Sequence, residues 1–264
     1  MGDRAPGGLS GLASTGAWTA VGPASAPAIV FVHGTRLTRA QWWPQLRLLS
    51  SRYRCIALDL PGHGALAGEA FAREAAADAV AQAIAAESPD GRAVVVGLSL
   101  GGYVAIDTAD RHPDRVAGLV LAGCSAEPVG PASLPFRVLA WVLRHAPDGP
   151  LDAVNRAFFR IRYPAPIAQP IVEHGFWPDG GSEALRAVVG TRYLDRLARL
   201  WTPVLVVNGA LDPVFGPGGE GWARACRSGR HAVVARAMHL VPLDRPRTFA
   251  GLVARFVESA GRAG

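Results

Sequence analysis

Short, wholly apolar runs recur along this chain, each closed by glycine or a polar turn. Ala28-Ile29-Val30-Phe31-Val32 runs into His33-Gly34, Tyr53–Leu58 into Asp59-Leu60-Pro61-Gly62, and Val94-Val95-Val96 into Gly97. Val116–Ala122, Pro203–Val207 and His231–Val234 repeat the pattern. Runs without a polar alternate face suit strands buried on both sides. Between them lie segments of helical composition: Ala40–Ser50, Glu69–Ala86, a stretch after Ser99 that ends before Pro113, Glu220–Arg227 and Arg245–Ala260. Residues 1–27 are rich in small residues and proline, with weaker strand signals near Leu9–Ala13 and Ala17–Val21. Strands alternating with helices predict an α/β chain, a parallel sheet covered by helices on both faces.

From Cys124 to Leu200 the rhythm changes. No strand is visible, and amphipathic segments at Leu134–His145, Leu151–Tyr163 and Glu183–Leu200 are separated by proline-rich links. In the second of these, Leu151, Val154, Phe158 and Ile161 share one helical face, with Arg156 and Arg160 opposite. The block reads as a helical lid laid over the sheet edge. That divides the chain into a core of residues 1–124 and 201–264 and a lid of residues 125–200.

Composition narrows the class. The chain has 264 residues, half of them hydrophobic, enough for one large α/β domain with an insertion. No apolar run reaches the roughly 18 residues of a membrane span, and residues 1–8 lack the apolar region of a secretory signal. Three cysteines, Cys55, Cys124 and Cys226, form an odd and sparse set, expected as buried free thiols. Together these features predict a cytoplasmic setting. The net charge is +6, and with no lysine present all 27 basic residues are arginine. They are scattered singly, without a basic run, so nucleic acid is not expected as a partner. No Cys/His group has metal-ligand spacing, and neither a dinucleotide motif nor a P-loop occurs, so no cofactor or metal is expected.

The chemistry centres on Gly97-Leu98-Ser99-Leu100-Gly101-Gly102. A Gly-x-Ser-x-Gly turn between a strand and a helix holds the serine hydroxyl above the sheet, beside the positive end of the helix dipole. A serine needs a base, and the base needs an orienting acid. In an open parallel sheet both belong at the carboxyl ends of strands. Asp212, in Asn208-Gly209-Ala210-Leu211-Asp212-Pro213, and His239, in Ala237-Met238-His239-Leu240, stand there in the order Ser, Asp, His. His239 would carry the proton and Asp212 would set the tautomer. Oxyanion donors are expected in the backbone N–H groups of Leu100 and Thr35. Glu127 is the rival acid. His33, His63 and Asp59 read as structural, Asp59 through local backbone hydrogen bonds. Asp107 and Asp110 read as solvated or paired, and Cys124 as core. Arg36, directly after Thr35, is a candidate for attracting an anionic group of the substrate. Trp42, Trp43, Trp141, Phe158, Phe159, Phe176 and Trp177 are candidates to line an apolar acyl pocket.

Taken with His33-Gly34, Asp59-Leu60-Pro61-Gly62-His63-Gly64, His112-Pro113-Asp114-Arg115-Val116 and Pro242, these motifs make the chain similar to the α/β-hydrolase superfamily. The resemblance is to its single-domain, lidded branch of esterases and lactonases, and runs from residue 33 to the last helix. It implies an α/β-hydrolase fold: a mostly parallel, eight-stranded sheet with the lid inserted between the sixth and seventh strands. It implies a hydrolase acting on a small-molecule acyl ester or lactone through an acyl-serine. Carbon–carbon or thioester hydrolysis, acyl transfer, and non-catalytic ligand binding are the alternatives. Met238 stands where many relatives carry glycine, and Leu98 where many carry histidine.

Overall fold

The computed structural model describes residues 13, 14 and 16–260. Most of the expected Leu9–Ala13 strand lies outside them. Among the described residues the sheet has eight strands: β1 (Ala13–Ser14), β2 (Trp18–Val21), β3 (Ala28–Val32), β4 (Arg54–Leu58), β5 (Ala93–Leu98), β6 (Val116–Ala122), β7 (Val204–Gly209) and β8 (Gly229–Val234). Their spatial order is β1-β2-β4-β3-β5-β6-β7-β8. β1 and β2 run antiparallel to their neighbours, and the six strands from β4 to β8 pair in parallel. The chain steps from β3 outward to β4, then crosses back to β5. The topological switch therefore lies between β3 and β5, where open α/β sheets form their crevice.

The helices are α1 (Trp43–Leu49), α2 (Arg73–Glu87), α3 (Leu100–Arg111), α4 (Leu134–His145), α5 (Asp148–Arg162), α6 (Ala165–His174), α7 (Pro178–Val188), α8 (Tyr193–Arg199), α9 (Gly219–Ala225), α10 (Val241–Asp244) and α11 (Pro246–Ala260). Every residue of β3, β5 and β7 is buried, as expected of apolar runs in a covered sheet. Alternate residues divide between two cores. Val30, Val32, Val95, Leu119 and Val206 pack with Val80, Ile84, Tyr103, Val104 and Trp222. Ile29, Phe31, Val96, Val120 and Val207 face Trp42, Leu46, Phe249 and Val253. The two-residue period of the strands thus feeds both layers.

Helices α4 to α8 fill the interval between β6 and β7. The expected single segment at Glu183–Leu200 is two helices, α7 and α8, parted at Gly190, whose φ of 88° no helix accommodates. The face expected to pack on α5 is also corrected. Val154, Phe158 and Ile161 are 65%, 46% and 86% exposed, whereas Asn155 and Phe159 are buried. Phe159 and Tyr163 pack with Ala168, Ile171 and Val172 of α6, so the partner helix decides which stripe turns inward. Asp107 is paired, and it is buried. It accepts hydrogen bonds from Arg73 (2.8 Å) and Arg196 (2.9 Å), tying α3 to α2 and to the inserted α8. No described helix is long and apolar enough to cross a membrane.

His33 and His63 are both fully buried, their rings 5.0 Å apart. His33 donates from Nδ1 to the Gly34 carbonyl (2.9 Å), and its Nε2 accepts from the Leu60 N–H (3.0 Å), joining the ends of β3 and β4. Burial pushes the pKa of His33 down to about 4. Burial, with His33 beside it, takes His63 down to about 3. Both stay neutral in the native state at pH values where the unfolded chain, with a histidine pKa of about 6.5, already binds protons. Their contribution is complete above pH 6.5 or so and is lost as pH falls toward 4, at about 1.4 kcal/mol per pH unit for each ring. Urea unfolding at about pH 7 and pH 5 should show this drop, and His63→Leu should remove about half of its slope. A flat profile over that interval would contradict the assignment.

Candidate active site

Gly97 and Gly101 let β5 turn into α3 at Ser99. A Cβ on Gly97 would lie 2.1 Å from the Gly101 carbonyl oxygen, and one on Gly101 would lie 2.1 Å from the carbonyl oxygen of Val32. No larger residue fits either position without moving backbone. Ser99 itself has φ 54° and ψ −118°, a conformation costing about 1–3 kcal/mol and held by its surroundings. Its N–H donates to the Ala122 carbonyl on β6 (2.8 Å), and its carbonyl accepts from the Gly102 N–H (2.9 Å). Ser99 is half-buried and opens onto a cavity of about 450 Å³.

Asp212 and His239 line the same cavity. Asp212 follows β7, in a turn whose N–H groups point back at its carboxylate. Oδ1 accepts from Val214 N–H (3.0 Å) and Phe215 N–H (3.1 Å), and Oδ2 faces His239 Nδ1 at 3.2 Å. Burial raises the cost of ionising Asp212, but the hydrogen bonds from His239 and the two amides outweigh it and hold the carboxyl below the usual carboxylate range. An ionised carboxylate only accepts, so Nδ1 carries the hydrogen, and in the neutral imidazole the lone pair is then on Nε2. The imidazole is closely packed. Phe215 stacks on it with centroids 4.9 Å apart. Gly123, at φ 55°, lies so close that a Cβ would be 3.0 Å from Nδ1.

Thr35 and Leu100 also line the cavity. Neither N–H donates to another group among the described residues. The Thr35 loop is braced by Gln41, whose Oε1 accepts from the Gly34 N–H (3.0 Å), and a Cβ on Gly34 would stand 3.6 Å from Ser99 Cβ. Two unengaged amides beside a serine can stabilise an anion developing on a bound carbonyl.

The remaining expected residues divide. Arg36, Phe158 and Phe159 line the cavity. Trp42 does not: it is fully buried between Phe31 and Phe249 in the core beneath the sheet. Trp43 packs in the same core, Trp141 is exposed, and Phe176 and Trp177 line a neighbouring groove. Glu127 accepts from the Leu194 N–H (3.2 Å) at the start of α8 and does not touch His239. Asp59 ties its turn as expected, accepting from Ala65 N–H, and also reaches Arg39 N–H. Cys55, Cys124 and Cys226 are free and buried.

Three supports were not found in the sequence. Phe215 stands three positions beyond Asp212, an apolar residue in a turn. Ser125 donates to the Phe215 carbonyl (2.6 Å), which fixes the stacked ring. Asp244 is the third. Its buried carboxylate accepts from Met238 N–H (2.7 Å), Arg162 (2.7 Å) and Tyr163 OH (3.0 Å), linking the residue before His239 to α5 of the insertion. Asp244→Ala leaves these donors unmatched, and is expected to cost about 3 kcal/mol of stability by urea unfolding. An unchanged midpoint would contradict that coupling.

A family model described as Alpha/beta hydrolase family matches residues 29–252. The Pimeloyl-(acyl-carrier protein) methyl ester esterase of Neisseria meningitidis serogroup C is 30% identical over 261 residues, covering 89% of this chain and 95% of that protein. Among solved structures, a thermophilic esterase from Thermogutta terrifontis with malate bound matches with a TM-score of 0.75 and 26% identity, over 92% of this chain and 93% of that one. A hydrolase from Pseudomonas aeruginosa matches with a TM-score of 0.77 and 25% identity, over 94% and 98%.

Proposed function

The chain belongs to the alpha/beta hydrolase family and is a hydrolase, and from that premise we propose that it is a serine esterase working through an acyl-enzyme. One observation carries the reading. The Asp212–His239 pair, the strained Ser99 and the two unengaged amides of Thr35 and Leu100 all open onto one apolar cavity. In the reaction, His239 Nε2 takes the Ser99 proton as Oγ adds to the ester carbonyl. Asp212 stabilises the imidazolium, and the two N–H groups hold the oxyanion. Collapse expels the alcohol, which receives the proton from His239. Water, deprotonated by His239, then releases the acid and restores Ser99.

Helices α4, α5 and α7 act as a lid in this reading, supported by Pro135, Phe136, Leu139, Phe158, Phe159 and Leu185, which line the cavity. The size and apolar lining suit a small to medium acyl group, as an open-chain ester or a lactone. The name of the Neisseria relatives adds carrier-bound methyl esters to the substrates to be tried. A screen over acyl-chain length, lactone ring size and thioesters, with the Ser99→Ala protein as blank, tests the reading. Oxygen-ester turnover that vanishes in the blank supports it. Thioester turnover alone, or activity surviving in the blank, overturns it.

A further inference from the structure

The cavity around Ser99 is walled chiefly by apolar side chains, among them Leu98, Leu139, Phe159, Val214 and Phe215. One residue of fixed positive charge belongs to that wall, Arg36. Its backbone is pinned: φ is 58°, in the left-handed region, and its carbonyl accepts from the Trp177 N–H (2.9 Å). The loop is held there for a reason other than the arginine's own comfort, since a non-glycine residue pays strain at such a φ.

The guanidinium has no acceptor among the described residues. Other arginines on the seam between core and insertion are engaged, Arg73 and Arg196 on Asp107 and Arg162 on Asp244. Asp212, the carboxylate on the same wall, is already committed to His239 and to two backbone amides. Removal from water with no compensating anion also pulls the pKa of Arg36 down from its usual value. A desolvated guanidinium with five unmatched donors favours a planar anion that accepts two hydrogen bonds side by side.

We propose that Arg36 recognises a free carboxylate on the substrate, so that the preferred substrates are esters whose apolar chain ends in a carboxylate, the monoesters of dicarboxylic acids being the simplest. This rests on the serine-esterase reading. Arg36 adjoins Thr35 in the chain, and Thr35 supplies an oxyanion donor in that reading. The spacing between carboxylate and scissile carbonyl is therefore fixed, and a series of chain lengths should show a single optimum.

The test compares wild type, Arg36→Gln and Arg36→Lys on matched methyl esters, monomethyl adipate against methyl hexanoate, followed by acid release. Arg36→Gln should lower kcat/KM on the anionic ester by about 10- to 100-fold. It should leave the neutral ester within about twofold, and Arg36→Lys should recover part of the loss. Equal losses on both esters, or no loss on either, overturn the proposal. A second arm needs no turnover: calorimetric titration of monomethyl adipate into Ser99→Ala and into Ser99→Ala/Arg36→Gln. Affinity at least about tenfold weaker without Arg36 supports the subsite, even if the esterase reading fails. Equal affinity overturns it, even if that reading stands.

Discussion

Replacing Ser99 with alanine is expected to lower kcat on an activated ester such as p-nitrophenyl acetate by on the order of 10⁶-fold, while the protein stays folded. Alanine occupies the same backbone conformation as serine, so the positive φ is no worse, and the N–H to Ala122 and the carbonyl to Gly102 are untouched. Only Oγ is lost. In the proposed reaction the covalent route goes with it, and His239 has no proton to take. The Thr35 and Leu100 amides remain, and a residual rate above water alone is expected from them and from binding. The check is steady-state kinetics beside a thermal melt. A variant that keeps its melting temperature and also keeps turnover would remove Ser99 from the reaction.

Asp212→Asn is expected to cost about 10⁴-fold in kcat with little change in fold, and the structure gives the reason. Oδ1 of Asp212 sits under two N–H donors, Val214 and Phe215. An asparagine placed there keeps its carbonyl oxygen on those donors. Its NH₂ is then turned toward His239 Nδ1, where Asp212 Oδ2 now accepts. Facing a donor, Nδ1 must give up its hydrogen, so the proton moves to Nε2 and the ring presents no lone pair to Ser99. A loss of tenfold or less by steady-state kinetics would mean that Asp212 does not set the tautomer.

Much of the fold could be read from local pattern. Central strands such as β5 are continuous apolar runs because both faces are covered, and a run of three valines before Gly-x-Ser-x-Gly allows few other readings. Asp212 and His239 could be proposed as a pair because each follows a strand, where an open sheet gathers its polar groups, and the folded chain brings Oδ2 to 3.2 Å from Nδ1. The misreadings share a cause, in that each depended on packing between elements that local pattern does not reveal. Trp42 stands next to the Thr35 loop in sequence, yet its ring fills the gap between Phe31 and Phe249. The stripe on α5 turned outward because α6 offered its apolar surface to Phe159 instead. That helix was itself hidden by Pro164, Pro166 and Pro170, which read as breaks although α6 runs through the last of them. Asp244 and Ser125 carried no motif, since their work is to accept from or donate to backbone groups that only the folded chain brings near.

The most direct measurement is chemical. A fluorophosphonate probe adds to a serine only when a base activates it and an oxyanion site holds the tetrahedral phosphorus adduct. The native protein should take up one equivalent of probe, and peptide mapping by mass spectrometry should place it on Ser99. Labelling should be absent from Ser99→Ala and strongly slowed in His239→Ala. Label on another residue, or undiminished labelling without His239, would contradict the assignment of Ser99, His239 and Asp212 as one catalytic unit.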